Sequence, residues 1–308
     1  MNVQSFLHAA IIAGTPLLLA TLGEILCEKV GNLNLGVEGM MLLGAISGFL
    51  IGYKTGNPIF ALFAAAGAGA LGGLIYAVLT VSFRTNQVVT GLTLTIFGTG
   101  VSSLLGQKAV GQVVPDSVKS FFAETKIPVL GDIPFLGNIL FNHDTFIYIS
   151  YVLTIMVGIY LYKTRVGLNL RAVGENPGAA DAVSINVSLY KYVNILLGGA
   201  LAGLGGAYLS LVYVPVWADN ITAGRGWIAV ALVIFAAWNP YKALLGAYLF
   251  GGLDIVGFRI ANPIVSSYIL SMLPYVVTIV VLVIISSKKS KKNSPPKSLS
   301  LPYFREER

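Results

Sequence analysis

The sequence is poor in charge and nearly devoid of cysteine. Asp, Glu, Lys and Arg make up 11% of its 308 residues, against roughly 25% in soluble domains. With 56% hydrophobic residues and a mean hydropathy of +0.79, that scarcity excludes an ordinary soluble globule. The single cysteine, Cys27, excludes an intrachain disulfide and a cysteine-based metal cluster, and reads as an inert thiol. The pattern G-x-x-x-x-G-K-[ST] does not occur, so the chain lacks the phosphate loop that would let it hydrolyse ATP itself. Nor does a basic segment or a small-residue cleavage site accompany the opening "MNVQSFLHAAIIAGTPLLLA", which therefore reads as a first span rather than a signal peptide.

What the chain has is long apolar runs. Stretches near the roughly 20 residues needed to cross a bilayer fall at 6–27, 37–53, 58–83, 87–106, 143–163, 189–213, 224–238, 241–257 and 266–287. They lack the alternation of a barrel strand and must satisfy their backbone groups internally. The expected fold is an all-α integral membrane protein, a polytopic helical bundle of about nine spans (8–10) in the cell membrane. Residues 1–287 form one domain, followed by a basic cytoplasmic tail, 288–308, expected to be disordered. With the N-terminus outside, most of the 20 lysines and arginines fall on inner segments, and half of these lie in the tail. The tail lysines read as a simple topological anchor before disorder, with anionic lipid headgroups as the alternative partner and no nucleic acid.

One inner segment is polar: "GLNLRAVGENPGAADAVSIN", 167–188 with its flank. Asn176 followed by Pro177 is a helix start, because the Asn side chain accepts from free amides and Pro at the first position forfeits no bond. The short helix that follows carries Ala179, Ala180 and Ala182, flanked by Arg171, Glu175 and Asp181. With so little bulk it suits close insertion into another protein's groove. The plainer reading is an ordinary turn broken by Asn-Pro.

The run from Gly167 to Leu211 resembles the coupling loop and next span of bacterial ABC importer permeases of the branched-chain amino acid and simple-sugar group. "NLNLGVEGMMLLGA" from Asn32, "FRTNQVVTGLTLTIFGTG" from Phe83 and "NITAGRGWIAVALVIFAAWNP" from Asn220 extend the likeness over residues 5 to 287 and are most similar to its nucleoside-uptake branch. The resemblance implies that Gly174, Glu175, Asn176, Pro177, Ala179, Ala180 and Asp181 form the segment that receives movement from a cytoplasmic ABC ATPase. It further implies a second, paralogous permease subunit, an extracytoplasmic substrate-binding lipoprotein and a nucleoside substrate. ATP and Mg would be bound by the partner ATPase, with no cofactor in this chain. Simple sugars or branched-chain amino acids are the sister-branch substrates. The rival outside the group is an ion-coupled secondary transporter, which would place ionisable groups deep in the membrane; Glu24, Glu38, Arg84, Asp254 and Arg259 all fall near expected span ends.

A translocation path for a nucleoside needs sparse amide, hydroxyl and aromatic partners. Polar interruptions of the apolar pattern nominate Asn34 and Glu38; Asn86, Gln87 and Thr90; and Asn220, Thr222 and Trp227. For the asparagines, path and helix cap remain equal readings. Trp217 and Trp238 are expected to anchor at the membrane interface. Gly67 to Gly73 and Leu197 to Ser210 carry small residues at helical spacing, the pattern of close helix packing. "WADNITAGRGW" precedes a short apolar core, 228–237, which fits a helix begun or broken inside protein. Its likeness to "NLNLGVEGMMLLGA" is consistent with an internal inverted repeat. The outer loop 107–142 is either a dock for a delivery protein or a lid.

Overall fold

A computed structural model describes residues 3–259 and 294–305, together with positions 272, 276, 277, 279, 280 and 283. Its helices in chain order are α1 (Val3–Lys29), α2 (Val37–Thr55), α3 (Pro58–Ala77), α4 (Gln87–Gly106), α5 (Asp116–Phe121), α6 (Leu136–Leu140), α7 (Thr145–Lys163), α8 (Arg165–Glu175), α9 (Pro177–Ala182), α10 (Val187–Tyr208), α11 (Arg225–Phe235) and α12 (Pro240–Arg259). Two short strands, β1 (Glu124–Lys126) and β2 (Asn142–Asp144), pair antiparallel between α4 and α7. π-helical turns at Val78–Ser82 and Leu209–Tyr213 prolong α3 and α10.

Six helices among the described residues are long and apolar enough to cross a membrane, and they coincide with the first six expected spans. The seventh expectation is corrected. Instead of a span at 224–238 there is α11, 11 residues long, about 16 Å or half of a ~30 Å hydrocarbon core. It lies along the C-terminal half of α1: the Thr21 hydroxyl donates to the Ala229 carbonyl (3.3 Å) and the Trp238 indole to Glu28 (2.6 Å). Beyond Phe235 the helix is stopped by Ala237 and Trp238, both at positive φ. The non-helical stretch 214–224 leads into it from the end of α10, so the apolar core is short because half of this passage is not helix. The eighth expectation is α12; the ninth, 266–287, lies outside the described residues.

The small residues work as the sequence implies. A Cβ on Gly203 would meet the Ala65 carbonyl of α3, and one on Gly206 would meet the Met41 carbonyl of α2. Gly23 and Gly198 likewise bring α1 onto α10, and Gly14 and Gly251 bring α1 onto α12. α1 and α10 are thus the inner pair around which α2, α3, α11 and α12 gather. Gly67 is different, since nothing lies within 4 Å of its Cβ position. It faces out of the bundle.

The two tryptophans expected at the interface are instead buried. Trp217 packs on Phe49 with ring centroids 5.8 Å apart. Trp238 is held by Glu28 in the core shared by α1, α11 and α12.

Candidate functional site

The polar residues inside the bundle collect where α1 turns into α2. Gly31, at φ 92, lets the chain reverse after Lys29. The next residues then climb back along α1, so that the Asn34 amide donates to Glu24 at 2.8 Å, more than a turn before the helix end. Backbone that runs unhelical inside a membrane protein must find its bonds in side chains, and it does here. The Leu33 amide donates to Gln87 Oε1 (2.8 Å), the Tyr76 hydroxyl donates to the Leu33 carbonyl (2.5 Å), and Asn32 Nδ2 donates to Thr80 (3.4 Å). Asn34 Oδ1 accepts from the Gly36 amide at 2.9 Å and sets the start of α2.

Glu38, in the first turn of α2, reaches the other unhelical stretch. Its Oε1 accepts from the Thr222 hydroxyl (2.5 Å) and the Gly224 amide (2.8 Å), and its Oε2 accepts from the Gly226 amide (2.6 Å). A carboxylate at the first amides of α11 satisfies orphan donors and complements the helix dipole. Gly226 is glycine for a reason of space: a Cβ there would lie 2.5 Å from the Glu38 Cα.

Not every nominated residue joins these two clusters. Asn86 caps α4, accepting from the Val89 amide at 3.1 Å, and Thr90 returns its hydroxyl to the Asn86 carbonyl at 2.8 Å and meets Thr85 at 2.9 Å. Asn220 is an exposed turn residue at φ 52, and Trp227 is 37% exposed, so neither belongs to the buried clusters. Glu24, Asn32, Tyr76 and Thr80 also belong to the site, beyond the residues that the polar interruptions nominate. Asn32 stands in the same Asn-rich run as Asn34, a signal that was present. Tyr76 lies in an apolar helix, and only the fold shows what its hydroxyl does.

Three atoms of the first cluster, Glu24 Oε2, Asn32 Oδ1 and Gln87 Nε2, are buried without a hydrogen-bond partner among the described residues. Such atoms are costly unless something satisfies them. Two acceptors and one donor suit a small polar solute carrying hydroxyl or amide groups.

At the end of the bundle that carries α8 and α9, the polar segment is more structured than expected. α8 precedes the Asn-Pro break, capped by Thr164, whose hydroxyl accepts from the Gly167 amide at 3.0 Å, and it buries Leu170 and Val173. Asn176 caps α9 as the sequence suggests, accepting from the Ala179 amide at 3.0 Å. Gly174 sits so close to the Lys29 carbonyl that a side chain would collide with it. Ala180 is only 3% exposed and packs into the chain's own core. Of the residues nominated for coupling, Glu175, Asn176 and Ala179 are exposed, and Ala180 is not.

Residues 294–305, within the tail expected to be disordered, lie against this segment. The Ser298 amide and hydroxyl both donate to the Gly174 carbonyl, at 3.0 and 2.6 Å. The Tyr303 hydroxyl donates to Asp181 (2.7 Å), and Arg305 pairs with the same carboxylate (3.2 Å).

Comparison with known proteins bears on this arrangement. A family model described as branched-chain amino acid transport system / permease component matches residues 6–285. Among curated proteins, the chain is 34% identical to the guanosine ABC transporter permease protein NupQ of Bacillus subtilis, over 97% of this chain and 96% of that one. It is 35% identical to the nucleoside ABC transporter permease protein NupC of Lactococcus lactis subsp. cremoris, over 91% and 92%. It is 37% identical to the putative glucose ABC transporter permease protein TsgC13 of Haloferax volcanii, over 89% of each.

Proposed function

Because the chain belongs to the family of branched-chain amino acid transport system permease components, we propose that it forms part of the pore through which an ABC importer carries nucleosides inward. The chain is a multi-pass plasma-membrane permease subunit and not an enzyme; ATP is hydrolysed by a separate subunit. An ATPase and a substrate-binding protein are the partners such a permease implies. The observation that carries the nucleoside reading is the likeness to two nucleoside permeases over more than nine-tenths of each chain. The buried donor and acceptors at Glu24, Asn32 and Gln87 agree with it, since a nucleoside offers ribose hydroxyls and base edges.

A paralogous permease completes the pore in this reading, and an extracytoplasmic lipoprotein delivers substrate to the loop 107–142, where Val129 and Phe135 are exposed. The ATPase engages the face formed by Glu175, Asn176 and Ala179. α8 and α9, pinned to α1 at Gly174, act as a rigid lever, because a packed helix passes on a displacement that a loose loop would absorb.

Simple-sugar transport is the second reading, favoured by the 37% identity to a permease named for glucose. The deciding experiment reconstitutes the assembled complex in liposomes and follows labelled guanosine and labelled glucose. Guanosine uptake that needs ATP on the side of the coupling segment, and persists when proton and sodium gradients are collapsed, is the expected result. Glucose uptake without guanosine uptake establishes the second reading, and gradient-driven uptake by this chain alone overturns both.

A further inference from the structure

Lys191 is a buried cation with no anion beside it among the described residues. It is 3% exposed, and no hydrogen bond or ion pair joins its ammonium to any described residue. Unpaired charge is rarely retained in a protein interior, and in a membrane helix it is a functional signal by default. Its surroundings make the problem worse. Lys191 is the fifth residue of α10, and helical side chains lean toward the N-terminus, so the ammonium lies back along the first turn. That turn carries the positive end of the helix dipole and amides with no intrahelical acceptor. Asn186 covers only one of them, accepting from Leu189 at 3.0 Å. The Val187 and Ser188 amides remain.

Both features open on one cavity of about 480 Å³ between the end of α3, the α9–α10 turn and the chain's C-terminal segment. Among the described residues Arg84, Arg305 and Asp181 also line it. The C-terminal segment sets both arginines: the Arg84 guanidinium stacks over the Phe304 ring at 4.7 Å, and Arg305 pairs with Asp181 at 3.2 Å. The Lys191 ammonium and the two free amides of α10 therefore face a polar cavity, with the Ser184 and Ser188 side chains beside it.

The geometry points to a binding site for a phosphomonoester dianion, with its phosphoryl oxygens on the Lys191 ammonium and the first amides of α10. The cavity exceeds what a bare phosphate fills and falls within the range of small-ligand pockets, so the phosphate is carried on an organic body. A soluble sugar phosphate and the headgroup of a phosphatidic acid present the same group. The inference rests on this cavity alone and holds whatever substrate the bundle transports.

The test uses the full-length chain in nanodiscs. In phosphatidylcholine discs, calorimetric titration with ribose 5-phosphate, with ribose as the control, reads the soluble source. Discs containing phosphatidic acid, read as a rise in melting temperature over phosphatidylcholine discs, test the lipid source. Saturable ribose 5-phosphate binding, or stabilisation by phosphatidic acid, supports the site when Lys191→Met weakens or abolishes it by roughly tenfold or more, the scale of a lost charge-assisted hydrogen bond. Lys191→Met also removes an uncompensated buried charge, so its ligand-free melting temperature should be at or above that of wild type, which guards against a folding artefact. Arg84→Gln should weaken binding by a smaller factor. Absence of both responses in wild type, or equal binding by wild type and Lys191→Met, overturns the proposal.

Discussion

Glu38 Oε2 accepts the amide of Gly226 at 2.6 Å across 188 positions of sequence. With the Thr222 hydroxyl and the Gly224 amide on its other oxygen, this carboxylate joins the start of α2 to the start of α11. The two segments it connects are the ones whose sequences resemble each other, "NLNLGVEGMM" and "NITAGRGWIA". Each is a polar, glycine-bearing stretch that begins a helix inside the bundle. They meet at their matching ends.

Glu38→Ala should therefore cost about 3 kcal/mol, because it strands two buried amides and a hydroxyl rather than deleting one bond. Glu38→Gln retains one carbonyl oxygen and should cost less than half as much. Melting curves of the two variants in detergent check the order. Equal stability of wild type and Glu38→Ala would mean that α11 is held by packing alone.

The sequence made the spans legible because hydropathy and length act locally: the first six appear where expected. It made the glycine faces legible because close helix approach demands small side chains at Gly203 and Gly206, and their spacing records that demand. The half-length α11 was visible only as a short apolar core, since a helix that stops inside protein needs partners from distant sequence, here Glu38 and Glu28. The site was harder still. Gln87 and Asn34 stood out as polar interruptions, but Tyr76 and Thr80 join them only because α3 passes the α1–α2 turn. Trp217 and Trp238 were misplaced because an aromatic near an apolar boundary looks the same from sequence whether it faces lipid or a buried partner.

The inner segment separates two alanines that adjoin in sequence. Ala179 faces outward and Ala180 inward. Ala179→Trp should leave the melting temperature within the scatter of ordinary surface changes, about 0.5 kcal/mol, while lowering coupled ATPase activity and uptake in the assembled complex. Ala180→Trp should lower stability by about 1–3 kcal/mol through overpacking. If Ala179→Trp retains full coupling, the ATPase does not use this face.

At the opposite end, burial holds the His143 imidazole down to about 4, despite its bond to the Ile139 carbonyl, and pushes the Asp144 carboxyl up to about 6. The signs oppose. His143 binds fewer protons folded than unfolded, so its contribution is lost as pH falls from about 6.5 toward 4. Asp144 binds more protons folded than unfolded, so its contribution is lost as pH rises from about 4 toward 6. In wild type the two partly cancel across that window. Asp144→Asn keeps the cap on the Ile147 amide and removes only the second effect. Its stability should fall by about 2–3 kcal/mol from pH 7 to pH 4, more steeply than that of wild type in matched melting curves. Parallel curves for the two proteins would show that Asp144 does not titrate in this range.

Two of the residues nominated for the path can be told apart by access. Gln87 is 3% exposed and spends its oxygen on the Leu33 amide, whereas Trp227 is 37% exposed and begins α11 beside the Glu38 cluster. A cysteine at 227, in a Cys27→Ser background, should react with a small water-soluble thiol reagent in at least one nucleotide state of the complex. A cysteine at 87 should react only if the α1–α2 turn opens during transport. Gln87→Ala should lower both stability and rate, since it leaves the Leu33 amide unsatisfied at a cost of about 1–3 kcal/mol. Trp227→Ala should lower the rate alone. Neither should change the affinity of the separate delivery protein for its substrate. If Trp227→Ala transports at the wild-type rate and its cysteine counterpart stays unreactive in every state, the route does not pass along α11, and the unpaired atoms of Glu24, Asn32 and Gln87 would be its remaining markers.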